Sequence, residues 1–211
     1  MVKNGIRDGD LYLSGGNVRM NIPTWSIPAI DTCPAATEHC KRYCYAKKAE
    51  NIWRGVRPSR DRNYRASLSP DFVDRMVGLV GRAGSEYIRI HESGDFYSQE
   101  YLDKWFEVAR RLPDVSFLAF SQCFDLDWSE IPPNIVRYWT VWDDTSDAPP
   151  PGLIALVKDD GSGKIGEPLG AVADRIPNTI KMCIKGKGVD LTCEQCLWCY
   201  KGKGDIVFKL H

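Results

Sequence analysis

Residues 32–48, TCPAATEHCKRYCYAKK, carry Cys33, Cys40 and Cys44 in a C-x6-C-x3-C arrangement. Thiolates are soft ligands suited to zinc or to iron–sulfur clusters, and this spacing lets one short segment wrap such a centre. A second group, MCIKGKGVDLTCEQCLWCYKGKG, holds Cys183, Cys193, Cys196 and Cys199, with two C-x2-C steps. Four thiolates complete a tetrahedral site, for zinc or for an auxiliary [4Fe-4S] cluster. Cys123 stands alone. The N-terminus has no apolar run of signal-peptide length, and no stretch of membrane-spanning length occurs anywhere. A cytoplasmic protein without membrane contact is the expectation, and there disulfides explain eight cysteines poorly.

Three thiolates leave one iron of a four-iron cluster without a protein ligand, and such an iron can coordinate a small molecule. His39 or Cys123 would instead close the site, and a shared allocation would borrow one cysteine from the second group.

HESGD at residues 91–95 gathers acids, bases and donors at the end of a short strand, EYIRIH. Alternation in that strand puts Ile88 and Ile90 on one face and Arg89 with His91 on the other. His91, Glu92 and Asp95 are candidate catalytic groups, Ser93 and Gly94 candidate cofactor contacts, the glycine for a tight exit from the strand. The bland reading makes Asp95 and Ser98 helix caps. Residues 41–65 carry nine basic residues against Glu50 and Asp61, interleaved with Tyr43, Tyr45, Trp53 and Tyr64. Such a segment can hold a small anion or a nucleic acid, or be a solvated face balanced by the acidic stretch 123–148. Overall charge is balanced at 28 basic and 28 acidic residues, which leaves no global polyanion-binding signature. DDGSGKIG at 159–166 lacks the phosphate-loop pattern and reads as a turn. Three histidines in unsuitable places make a serine–histidine–acid triad a poor account.

These residues need a scaffold. SPDFVDRMVGLV reads as a helix, with Ser69 as cap, Pro70 in the first turn and an apolar stripe of Phe72, Val73, Met76 and Val80. SQEYLDKWFEVARRLPD reads as a second, capped by Ser98, and VSFLAFSQ as a buried strand after it. A strand–helix–strand unit of this length implies a crossover and parallel strands. IVRYWTVW, GLIALVKD, NTIKM and DIVFKL supply further strands, and DDTSDAPPPG an exposed turn. The expected fold is α/β, a partial parallel β/α barrel with its working end at the C-terminal edge of the strands. One domain covers 1–211, with a β/α core over 1–180 and a cysteine-rich module over 181–211 packed on it.

TCPAATEHCKRYCYA, RIHESGDFYSQEYLDKWFEVA and the C-terminal C-x9-C-x2-C-x2-C together resemble the phage-associated gene product 88 family, over roughly residues 25–211. A more distant resemblance is to radical S-adenosylmethionine enzymes, whose three-cysteine cluster leaves one iron open to S-adenosylmethionine. That resemblance implies that Tyr43, before the last cysteine, lies near the adenine and that HESGD meets the methionine amino group. The usual spacing in those enzymes is C-x3-C-x2-C, against six and three here. The implied enzyme needs an electron donor and a substrate, small or macromolecular. The alternative is a non-catalytic, metal-stabilised phage protein that binds nucleic acid or a host protein.

Overall fold

The computed structural model describes residues 5–17, 20–158, 181–183 and 191–209. A short antiparallel hairpin, β1 (Ile6–Asp8) and β2 (Leu11–Leu13), precedes β3 (Thr24–Ser26). Three helices follow, α1 (Glu38–Arg42), α2 (Tyr45–Ile52) and α3 (Val56–Ser67). Then come α4 (Phe72–Ala83), β4 (Tyr87–Ser93), α5 (Gln99–Arg111), β5 (Ser116–Ser121), β6 (Ile135–Val141) and β7 (Leu153–Lys158). The chain closes with β8 (Lys181–Met182), the short α6 (Cys193–Cys196) and β9 (Ile206–Lys209).

The main sheet has seven strands in the order β3-β4-β5-β6-β7-β9-β8, and every pairing is parallel. The α/β class and the parallel sheet therefore hold. Residues 181–209 do more than pack on a core, because β8 and β9 are strands of the sheet itself. DDGSGKIG and the start of NTIKM lie outside the described residues.

Both faces of the sheet are covered, which is why its strands read as nearly continuous apolar runs. In β5, Phe117 and Ala119 join the core under α4 and α5, with Trp25, Phe72 and Trp105. Leu118 faces the opposite way, into a smaller cluster with Tyr138, Ala155, Ile206 and Tyr200. On that second face the rings of Phe120 and Phe208 meet at 5.5 Å. Strands β6 and β7 lie between them in the sheet. Three ladder steps of about 4.8 Å would separate their backbones by about 14 Å in a flat sheet, so the sheet bends toward this face.

Two local expectations change. Helix α4 starts at Phe72 with Asp71 as N-cap and no side-chain cap bond, so Ser69 and Pro70 form the turn before it. Ser98 does cap α5, its Oγ accepting from the Tyr101 N–H at 3.2 Å. Strand β4 runs on to Ser93, but His91 has φ 61°, and this breaks the alternation. Arg89 and His91 therefore do not share a face. Arg89 lies over the Phe120 ring at 4.2 Å, on the second face, while His91 turns into the helix-side core against Phe96 and Tyr101.

Candidate metal centres

The first centre is built where three loops leave the C-terminal edge of the sheet. After β3, Ile27 exchanges hydrogen bonds with Ser93: its N–H donates to the Ser93 carbonyl at 3.0 Å, and Ser93 Oγ donates to the Ile27 carbonyl at 2.9 Å. Gly94 follows at φ 87°, and a Cβ there would stand 2.2 Å from Ile27 Cγ1 and 2.8 Å from Thr32 Oγ1. Only glycine fits this close approach. Asp95 then gives its N–H to the Thr32 carbonyl at 3.1 Å. Its carboxylate accepts from the Phe96 and Gln122 N–H groups at 2.7 and 2.8 Å. Asp95 is thus a buried latch between the loops after β3, β4 and β5, not a cap of α5. Burial pushes its carboxyl above the usual range, against the pull of those hydrogen bonds.

The loop so held carries the cysteines. Thr37 caps α1, its Oγ1 accepting from the Cys40 N–H at 3.1 Å. Cys44 caps α2, its Sγ accepting from the Lys47 N–H at 3.4 Å. Gln122 Nε2 donates to Cys40 Sγ at 3.2 Å. Burial raises the Cys33 thiol, and Asp95, Cys40 and Cys44 add to it. Cys40 is pushed up to about 11 by burial, with the Gln122 hydrogen bond opposing. Cys123 is buried beside Asp95 and Cys33, and its thiol is also raised. Such thiols keep their protons until a cation displaces them.

The other predicted residues fall around this loop. Tyr43 ends α1 with its ring edge-on to His39 at 6.2 Å. Glu92 accepts from Asn17 Nδ2 at 3.0 Å, and its carbonyl takes the Tyr45 hydroxyl. His91 is fully buried, with Nε2 2.9 Å from the Tyr101 hydroxyl, and burial drops its pKa to about 3, so it stays neutral. His39 does not turn to the thiols. Its Nδ1 pairs with Asp143 at 2.7 Å, its N–H with Asp144 at 2.8 Å, and Asp143 raises its pKa. The acids after β6 therefore serve His39 rather than the arginine segment. There, Arg57 pairs with Asp31, Asp61 and Glu50 at 2.6, 2.8 and 3.4 Å, and Arg60 with Glu50 at 3.1 Å.

The second centre lies on the bent face of the sheet. Cys183 follows β8 and donates its N–H to the Val207 carbonyl at 2.8 Å. Cys193 and Cys196 bound α6, whose capping box joins Thr192 and Gln195. Leu197 at φ 49° then turns the chain so that Cys199 returns to the others. All four cysteines line one cavity of about 60 Å³ with Arg89, Phe120, Trp198, Tyr200 and Phe208. About 10–15 Å³ of such space holds one water, so several atoms fit. Cys199 is pushed up to about 12 by burial, which Arg89 opposes. Glu194 ties this segment to the strand β3 side, through Asn21 and the Met20 carbonyl.

Each cysteine group is thus gathered, yet among the described residues no three of these sulfurs lie within 4.8 Å of one another. A single tetrahedral zinc, with Zn–S of about 2.3 Å, would need them about 3.8 Å apart. Thiolates that hold a multi-iron cluster, one iron each, stand farther apart than those around a single zinc. Gln122 had no local sequence signal, since only the fold brings it to Cys40.

A model of the family described as Gene product 88 matches residues 4–202. The chain is 24% identical over 220 residues to the Gene 88 protein of Mycobacterium phage L5, covering 92% of this chain and 90% of that protein. It is 29% identical over 123 residues to the Gene 88 protein of Mycobacterium phage D29, spanning 51% of each. No solved structure matches the chain.

Proposed function

The chain belongs to the gene product 88 family, and we propose that it is an iron–sulfur protein, an enzyme of radical S-adenosylmethionine type. Cys33, Cys40 and Cys44 would hold a [4Fe-4S] cluster with one open iron, and Cys183, Cys193, Cys196 and Cys199 a second, closed one. One observation carries this reading: three gathered thiols, spaced too widely for one ion, at the C-terminal edge of parallel strands. Ligands in parallel α/β folds bind at that edge. The bend between Phe120 and Phe208 supports a partial barrel, in which the second centre fills the concave side.

A reduced cluster in the first centre would supply an electron to bound S-adenosylmethionine. The chain's own residues orient that ligand. Ser93, Gly94 and Asp95 fix the floor of the site, and Gly94 leaves room for close approach. Tyr43 offers a ring for the adenine between two ligands. Glu92 is a half-buried carboxylate at this edge, whereas His91, neutral and enclosed, serves as packing. An electron donor and a cytoplasmic setting in the phage-infected host complete the reading.

A second reading, a metal-stabilised binding protein, draws support from Ile52 and Trp53, exposed at 67% and 65% beside Arg54. Polymer binding through phosphates is disfavoured because Arg57, Arg60 and Lys47 are engaged by acids. Electron paramagnetic resonance of anaerobically purified, reduced protein separates the two. A cluster signal perturbed by S-adenosylmethionine, with slow release of 5′-deoxyadenosine, is expected. Colourless protein with stoichiometric zinc overturns the enzyme reading.

A further inference from the structure

Gln122 immediately follows β5 and is held by its backbone, whose N–H donates to the buried Asp95 carboxylate at 2.8 Å. From there its carboxamide reaches across to the loop after β3. A cysteine sulfur at a metal centre accepts hydrogen bonds, so Nε2 must be the end that faces Cys40, at 3.2 Å. The other end, Oε1, is buried and has no hydrogen-bond partner among the described residues. A buried carbonyl oxygen left unpaired costs about 1–3 kcal/mol, and such orphans mark places where a missing group belongs. Oε1 sits on the same carbon as Nε2, so it lies beside the Cys40 sulfur's neighbourhood while pointing to a different spot. What it lacks is a donor.

We infer that Gln122 bridges the first centre and its exchangeable ligand, with Nε2 on the Cys40 sulfur and Oε1 accepting from a protonated amine of the ligand. The inference rests on the reading of Cys33, Cys40 and Cys44 as an open cluster site. It assigns to Gln122 two separable effects. The N–H on sulfur stabilises the added electron of the reduced centre and raises its potential. The carbonyl selects ligands that carry an ammonium group over carboxylates alone. Asp95 acts one step back, by fixing where Gln122 starts.

Gln122→Leu removes both ends, while Gln122→Glu removes the donor and keeps an acceptor. Both are made in the full chain, reconstituted with iron and sulfide, and checked by iron content and circular dichroism. The readouts are the midpoint potential from paramagnetic titration and the Kd for S-adenosylmethionine from its effect on the spectrum. Gln122→Leu is expected to lower the potential and weaken binding about tenfold, the scale of one hydrogen bond to a charged group. Gln122→Glu is expected to lower the potential with binding no weaker than wild type. If the wild type binds S-adenosylmethionine and Gln122→Leu keeps both values, the inference is overturned and the cluster reading stands. A lowered potential with unchanged binding in Gln122→Leu overturns the ligand assignment. If the wild type itself holds no cluster, the underlying reading falls, and the inference with it.

Discussion

The first cysteine group takes all its thiols from one loop, yet that loop is held in place by two others, through Ser93, Asp95 and Gln122. The second group takes its thiols from a strand end, a short helix and a turn, and settles them against aromatic side chains on the face of the sheet. The first is a polar crossing of loops, rich in hydrogen bonds. The second is an apolar enclosure in which Arg89 is the cation among the described residues that line it with four thiols. The contrast teaches that the count of thiols alone does not set what a group of cysteines is suited to do. The surroundings do, because an exchangeable position needs donors and acceptors waiting for a guest, and a closed one needs water kept out.

The sharpest way to break this comparison is to remove one ligand from each centre. Cys33→Ala and Cys196→Ala should each lose one centre's iron completely and leave the other's paramagnetic signal in place. A folded variant without any bound metal would show that the two groups share a cluster. Next in size is Gly94→Ala, whose methyl would collide with Ile27 and Thr32 at a positive φ. We expect it to lower stability by about 3 kcal/mol and to deplete iron from the first centre only. Equal loss from both centres would refute the separation.

Acid provides a third test, through His91. Its pKa falls from 6.5 to about 3 on folding, so the unfolded chain binds the extra proton first. The contribution is fully present above 6.5 and is lost as pH falls. Between pH 6.5 and pH 5 stability should drop by about 2 kcal/mol from this group, and His91→Gln should flatten that limb of a denaturant titration. An unchanged limb would mean that His91 is not enclosed. The smallest effect is expected from Arg89→Gln, which removes a positive charge near the second centre. It should lower that centre's midpoint potential and leave the first unmoved, and a shift confined to the first centre would reverse the assignment of Arg89.

Much of the scaffold was legible because it follows local rules. The stripe from Leu102 to Ala109 and the Ser98 cap announced α5, and the apolar runs announced β5, β6 and β7. Cysteine spacing announced the two groups of thiols, since residues close in sequence need little help from the fold to meet. His91 was misplaced because strand alternation says nothing of a residue that steps out of extended backbone. Asp95 was underrated for a related reason, as a carboxylate before a helix reads as a cap until its true partners, in β5's exit, are known. Gln122 was silent because it acquires meaning only from a neighbour many residues away, and Arg89, read as sharing a face with His91, lies instead on the side of the second cysteine group.

Among the described residues strand β8 has one partner, β9, and β9 in turn separates β8 from the rest of the sheet. During synthesis, therefore, the ladder of residues 181–182 cannot form until residues 206–209 have left the ribosome. Cys183 hangs on β8, and Cys193, Cys196 and Cys199 fall in the interval that must wait with it. The first loop meets no such delay, since β3, β4 and β5 are all made by residue 121. Vectorial emergence thus sets an order of assembly, in which the thiols of the first group can be gathered while those of the second are still loose.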